Sequence, residues 1–101
     1  EVEGNAQIKR LYPDAVSIML MPPTIEEMRQ RLLGRGTESL ETVEKRLARA
    51  REEIRLAPGY DYIVVNRRDE IEACARHICE IIRAESARAC RMADEIEAFF
   101  I

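Results

Sequence analysis

The chain has 101 residues, of which 47% are hydrophobic and 35% charged; this excludes a disordered polar chain and allows one small domain at most. Nineteen acidic residues against sixteen basic ones give a net charge of −3, without the basic excess of a general nucleic-acid binder. No apolar run approaches the ~18 residues of a membrane span, so neither nucleic acid nor membrane is an expected partner. The acidic start, Glu1-Val2-Glu3, is not that of a signal peptide. It carries no initiator Met, and Glu1 to Gly4 reads as the end of a longer element. The cysteines Cys74, Cys79 and Cys90 cannot all pair within one chain and form no CxxC, so a reducing, cytoplasmic setting is expected.

In chain order, Asn5 to Leu11 predicts a short helix that ends near Pro13-Asp14. Ala15 to Met21 is almost continuously apolar and is closed by Pro22-Pro23, which predicts a strand buried on both faces, as in parallel sheets. Thr24-Ile25-Glu26-Glu27 is a capping box for a helix to about Leu33, stopped at Gly34. After the break Gly34-Arg35-Gly36-Thr37, Ser39 is the expected N-cap of a second helix. Its apolar positions Leu40, Val43, Leu47, Ala50, Ile54 and Ala57 form one stripe, and Pro58-Gly59 ends it. Tyr60 to Val65 predicts a second strand, and Asp69 with Glu72 a cap for the last helical stretch. That stretch, Glu70 to about Phe100, has no Pro or Gly. Its apolar positions Ile71, Ala75, Ile78, Ile82, Ala89, Met92, Ile96 and Phe99 keep a 3/4 rhythm broken at Glu85, which leaves a kinked helix, two helices or a projecting arm open.

The resulting order is α/β. Two strands make a poor sheet by themselves, so either a partner copy or a larger domain is expected to supply neighbours. Exposed apolar surface at the sheet edge or on the C-terminal helix favours a homo-oligomer.

The most informative segment is Arg31 to Arg46, RLLGRGTESLETVEKR. Arg31 and Arg35 lie four apart at a helix end and project from one side, while Arg46 borders the buried stripe beside Leu47. Arginines on a glycine-hinged hairpin suit phosphate oxygens, because the guanidinium fork donates paired bonds and stays charged. The alternative is a solvated face on which Glu38, Glu41 and Glu44 pair with the same arginines. His77 reads as a surface or edge residue. Cys74 and Cys79 read as small core hydrophobes, Met19, Met21 and Met28 as core filling, Tyr60 and Tyr62 as packing, and Arg67-Arg68 as a solvated turn.

Several ordered stretches carry a resemblance: Glu3-Gly4 with Gln7-Ile8-Lys9, Tyr12-Pro13-Asp14-Ala15, Pro22-Pro23, Arg31 to Ser39, Lys45-Arg46-Leu47, Tyr60 to Asn66, and Ile82-Arg83-Ala84-Glu85. From Glu1 to about Glu85 the chain resembles the guanylate kinases, which move a phosphoryl group from ATP to GMP. The resemblance implies part of a P-loop NTPase-type parallel sheet, a nucleoside monophosphate kinase core, with a helical lid and a long C-terminal helix. Residues 1–23 would be core, about 24–58 the lid-bearing helices, and 59–101 the core strand and C-terminal helix. Arg31, Arg35 and Arg46 match the lid arginines that close over the nucleotide phosphates. Asn66 matches a residue near the adenine of ATP, although Arg67-Arg68 replaces the acidic pair that often follows. Glu1 falls where the family usually has Asp, in a D-x-D-x-x-G stretch on the GMP and metal side.

The chain has four glycines, and its lysines are Lys9 and Lys45; no G-x-x-x-x-G-K-[ST] is present. The resemblance thus implies a C-terminal piece, inactive alone, with Mg²⁺ held mainly by the half that carries the P-loop and the GMP-binding insert. Three readings follow: a guanylate kinase acting on GMP and ATP, a non-catalytic guanylate kinase-like module that binds proteins, and a related kinase for another phosphorylated acceptor. A P-loop just upstream would settle for an enzyme.

Overall fold

The computed structural model describes residues 2–101, with side chains from Gly4 onward. They divide into two compact units, with the boundary in the chain between Arg67 and Arg68. The first contains helix α1 (Val2–Leu11), strand β1 (Ile18–Met21), helices α2 (Ile25–Gly34) and α3 (Leu40–Arg55), a 3₁₀ turn (Ala57–Gly59) and strand β2 (Tyr62–Val65). The second contains helix α4 (Ile71–Ser86), a 3₁₀ turn (Ala89–Arg91) and helix α5 (Ala93–Phe99). Helices combined with a parallel sheet are the α/β character expected of the sequence.

The two strands pair in parallel, with Ile18 opposite Tyr62 and Met21 opposite Val65. Register partners point to the same side of a sheet and successive residues to opposite sides. Met19 (8% exposed) and Val64 (1%) are therefore buried on opposite faces, while their partners Ile63 and Leu20 stay 44% and 54% exposed. Burial on both faces thus holds at one residue per face.

Both strands are shorter than the apolar runs, because side-chain bonds take over at their entry. Lys9 Nζ donates to the Ala15 carbonyl at 2.5 Å and to the Asp61 carboxylate. The same Asp61 oxygen accepts from the Ser17 amide at 2.8 Å and the Ser17 hydroxyl at 3.2 Å, and the Asp61 amide donates to the Ser17 carbonyl at 3.1 Å. Asp61 thereby ties α1, the β1 entry and the β2 entry together. The Lys9 ammonium first, and the Ser17 donors after it, hold its carboxyl below the ordinary carboxylate value. A carboxyl depressed on folding stabilises above its unfolded pKa, and that stabilisation is lost as pH falls through the folded one. Asp61→Asn is therefore expected to flatten the acid limb of a stability-against-pH profile below about pH 4; an acid limb identical to the parent's would show that the contact adds nothing.

The second unit replaces the long C-terminal helix implied by the resemblance with two helices, one of the alternatives the apolar rhythm left open. Helix α4 stops at Ser86 without Pro or Gly, and the Ala87 amide is shared between the Arg83 and Ala84 carbonyls, both at 3.2 Å. Glu85, whose side chain is only 12% exposed, pairs with Arg88 and Arg91 in and beside the following 3₁₀ turn. The covered stripe of α4 is Cys74, Ile78, Ile81 and Glu85, not the Ile71, Ala75, Ile78, Ile82 set; Ile71 and Ile82 are 74% and 56% exposed. Cys79 is likewise exposed and not a core residue. Asp69 does not cap α4: it takes a left-handed φ of 61°, and Glu70 occupies the N-cap without a side-chain bond.

Candidate functional site

The α2–α3 hairpin is built as its sequence demands. Thr24 Oγ1 accepts from the Glu27 amide at 3.0 Å, and Ser39 Oγ accepts from the Thr42 amide at 3.2 Å, so both N-termini are capped. Leu32, Val43 and Leu47 form the buried cluster between the helices, with Ile25 and Met28 packed against it. Leu40 lies outside it, 69% exposed at the first residue of α3. The helices are joined by a turn, 35–39, in which Gly36 has φ +63° with open space where a Cβ would stand. Glycine is required there for its dihedral and not for room.

The five residues assigned by resemblance fall in different places. Arg31 Nη2 donates to Glu27 Oε1 and to the Asn66 carbonyl, each at 2.8 Å. Two of the candidates, 35 residues apart, therefore meet just past the carboxyl end of β2, the edge at which open α/β sheets bind ligands. Arg35 caps the C-terminus of α2, exposed, with no ion pair among the described residues. Arg46 Nη2 pairs with Glu38 Oε1 at 2.6 Å, across the hairpin turn. Glu1 lies outside the described residues.

The solvated-face alternative is met in part. Glu38 does pair with Arg46, but Glu44 pairs with Arg29 and Glu41 with Lys45. Partly exposed pairs of this kind contribute about 0–1 kcal/mol, so they leave the arginines available to another anion. The Arg46 side chain remains 50% exposed and Arg31 32%. Sequence reasoning missed Glu27 as the partner of Arg31, although their i,i+4 spacing was there to be read. It also missed the Lys9–Ser17–Asp61 cluster, whose members are far apart in sequence and leave no local signal.

Beside the hairpin, an apolar cleft of about 250 Å³ is lined by Met21, Pro22, Ile25, Met28 and Ile54, with Arg51 and Arg55 also on its wall. No group of three or more His, Cys, Asp or Glu side chains among the described residues could hold a metal ion. Nor is any helix among them long and apolar enough to cross a membrane.

The family model described as "Guanylate kinase" matches residues 1–85. The chain is 49% identical over 92 residues to a guanylate kinase of Lactococcus lactis subsp. lactis, covering 91% of this chain and 44% of that protein. It is 47% identical over 92 residues to guanylate kinases from two strains of Streptococcus thermophilus, covering 91% of this chain and 43% of each. The chain thus spans somewhat less than half the length of the curated relatives it matches. With a family match over most of its residues, including the whole helical hairpin, the chain belongs to the guanylate kinase family.

Proposed function

We propose that the chain is the lid-bearing part of a guanylate kinase that transfers the γ-phosphoryl group of ATP to GMP. A phosphate oxygen of GMP bonds to the γ-phosphorus as the bond to the β–γ bridging oxygen breaks, giving GDP and ADP. Residues 1–23 and 59–101 belong to the core and its C-terminal helices, and about 24–58 to the lid. The observation that carries this reading is the convergence of Arg31 on the Asn66 carbonyl at the carboxyl end of β2. Arg35 and Arg46 stand on the same glycine-hinged hairpin.

Phosphoryl transfer asks a protein mainly for positioning and charge stabilisation. Guanidinium groups supply both without titrating. Arg35 and Arg46 meet the phosphate oxygens as the hairpin closes and excludes water, and Arg31 does so from the strand end. Asn66 stands on the adenine side of ATP and Glu1 on the GMP side. The Mg²⁺ that accompanies ATP would find no cluster of ligands among the described residues. The exposed Phe99 and Phe100 support self-association through the C-terminal helices, with the sheet edge as the other route, and the working compartment is the cytoplasm.

The test is ADP formation from ATP by the full-length protein, followed with GMP, AMP, CMP and UMP as acceptors in turn. Turnover confined to guanine nucleotides is expected. Turnover on another acceptor would favour the related-kinase reading, and no turnover on any would favour the protein-binding module.

A further inference from the structure

Glu38 stands out among the acidic side chains of the hairpin. It is 23% exposed and lies in the turn, one residue before the Ser39 cap, while its partner Arg46 sits two turns into α3. Oε1 takes the 2.6 Å ion pair, and Oε2 is buried without any hydrogen-bond partner. A buried carboxylate oxygen left unpaired is unfavourable, so this side chain is not placed for stability alone. The other bonds of the turn are local, Gly36 to Leu33 and Ser39 to Thr42 and Val43; Gly36 is left-handed with open space where a Cβ would stand, and Arg35 makes no ion pair among the described residues. The Glu38–Arg46 contact is thus the side-chain tie that carries the turn beyond the first turn of α3, on to the part of the helix that bears Arg46.

We infer that Glu38 is a positioning residue: its carboxylate orients the Arg46 guanidinium and sets the distance between Arg35 and Arg46 across the turn. This rests on the reading of Arg46 as a phosphate-binding residue. A guanidinium has five N–H donors in a fixed fork. The ion pair with Oε1 holds one edge of that fork, and half of the Arg46 side chain is open to receive phosphate oxygens. Oε2 offers a place for a second Arg46 donor when the hairpin moves.

The experiment is a double-mutant cycle in the full-length protein, with Glu38→Gln, Arg46→Ala and the pair, read as kcat and KM for GMP and for ATP, with melting temperatures alongside. Glu38→Gln is expected to lower kcat about tenfold or more with both KM values and the melting temperature little changed. In the Arg46→Ala background it should have no further effect on kcat, because the group it orients is gone. Glu38→Asp, which keeps the charge, should recover part of the loss. If Arg46→Ala lowers kcat and Glu38→Gln does not, or if the two losses multiply, the positioning role is overturned while the phosphate reading stands. If Arg46→Ala itself leaves kcat unchanged, the reading beneath it has failed.

Discussion

Arg35→Ala in the full-length protein is expected to lower turnover by on the order of a hundredfold or more, with little change in melting temperature. Arg35 is exposed at the C-cap of α2 and makes no ion pair among the described residues, so its truncation opens no cavity and strands no partner. A donor that meets transition-state charge in a water-poor site is worth about 2–4 kcal/mol, by analogy with single oxyanion-hole donors, and each 1.4 kcal/mol is roughly tenfold in rate. Arg35→Lys should not fully restore the rate, since lysine keeps the charge and loses the fork. Turnover near the parent value, or a collapsed fold, would refute a phosphate-facing lid. Arg31 would give a mixed result, because its loss also removes the bonds to the Asn66 carbonyl and Glu27.

Leu47→Ala should do the opposite. Leu47 is 2% exposed at the centre of the cluster with Leu32 and Val43. Leucine-to-alanine changes in such cores cost about 2–5 kcal/mol, from lost burial plus the cavity left behind. At roughly 2–4 °C per kcal/mol in a protein of 150–250 residues, the melting temperature should fall by on the order of 10 °C. At temperatures where the variant remains folded, kcat should stay within a few-fold of the parent. A melting temperature unchanged by calorimetry would mean that the hairpin packing contributes nothing to global stability.

What the sequence disclosed was local chemistry. Thr24 and Ser39 cap as written because an N-cap needs only its own oxygen and an amide three residues on. The stripe Val43, Leu47, Ala50 is buried as its spacing demands. The break after Ser86 showed only as the interrupted apolar rhythm at Glu85, since no Gly or Pro marks it and Glu85 acts through Arg88 and Arg91. The same limit applied to Asp61, whose partners lie 44 and 52 residues away. At the candidate site, the residue types and the glycine turn were visible in Arg31 to Ser39. The meeting of Arg31 with Asn66 was not, because it depends on the parallel register of β1 and β2.

That register has a further consequence for the hairpin. Thr24, where the hairpin leaves β1, and Ile54 and Arg55, where it ends, line the same cleft as Met21 at the end of that strand. Its two feet therefore stand together, and the chain reaches the beginning of β2 only through residues 56–61. The hairpin is an excursion from the crossover and not its span. Lengthening, trimming or tilting its tip at 35–39 leaves unchanged the place where Tyr62 meets Ile18. In such an architecture the tip of the hairpin can change in length over evolution while the pairing of the sheet stays where it was.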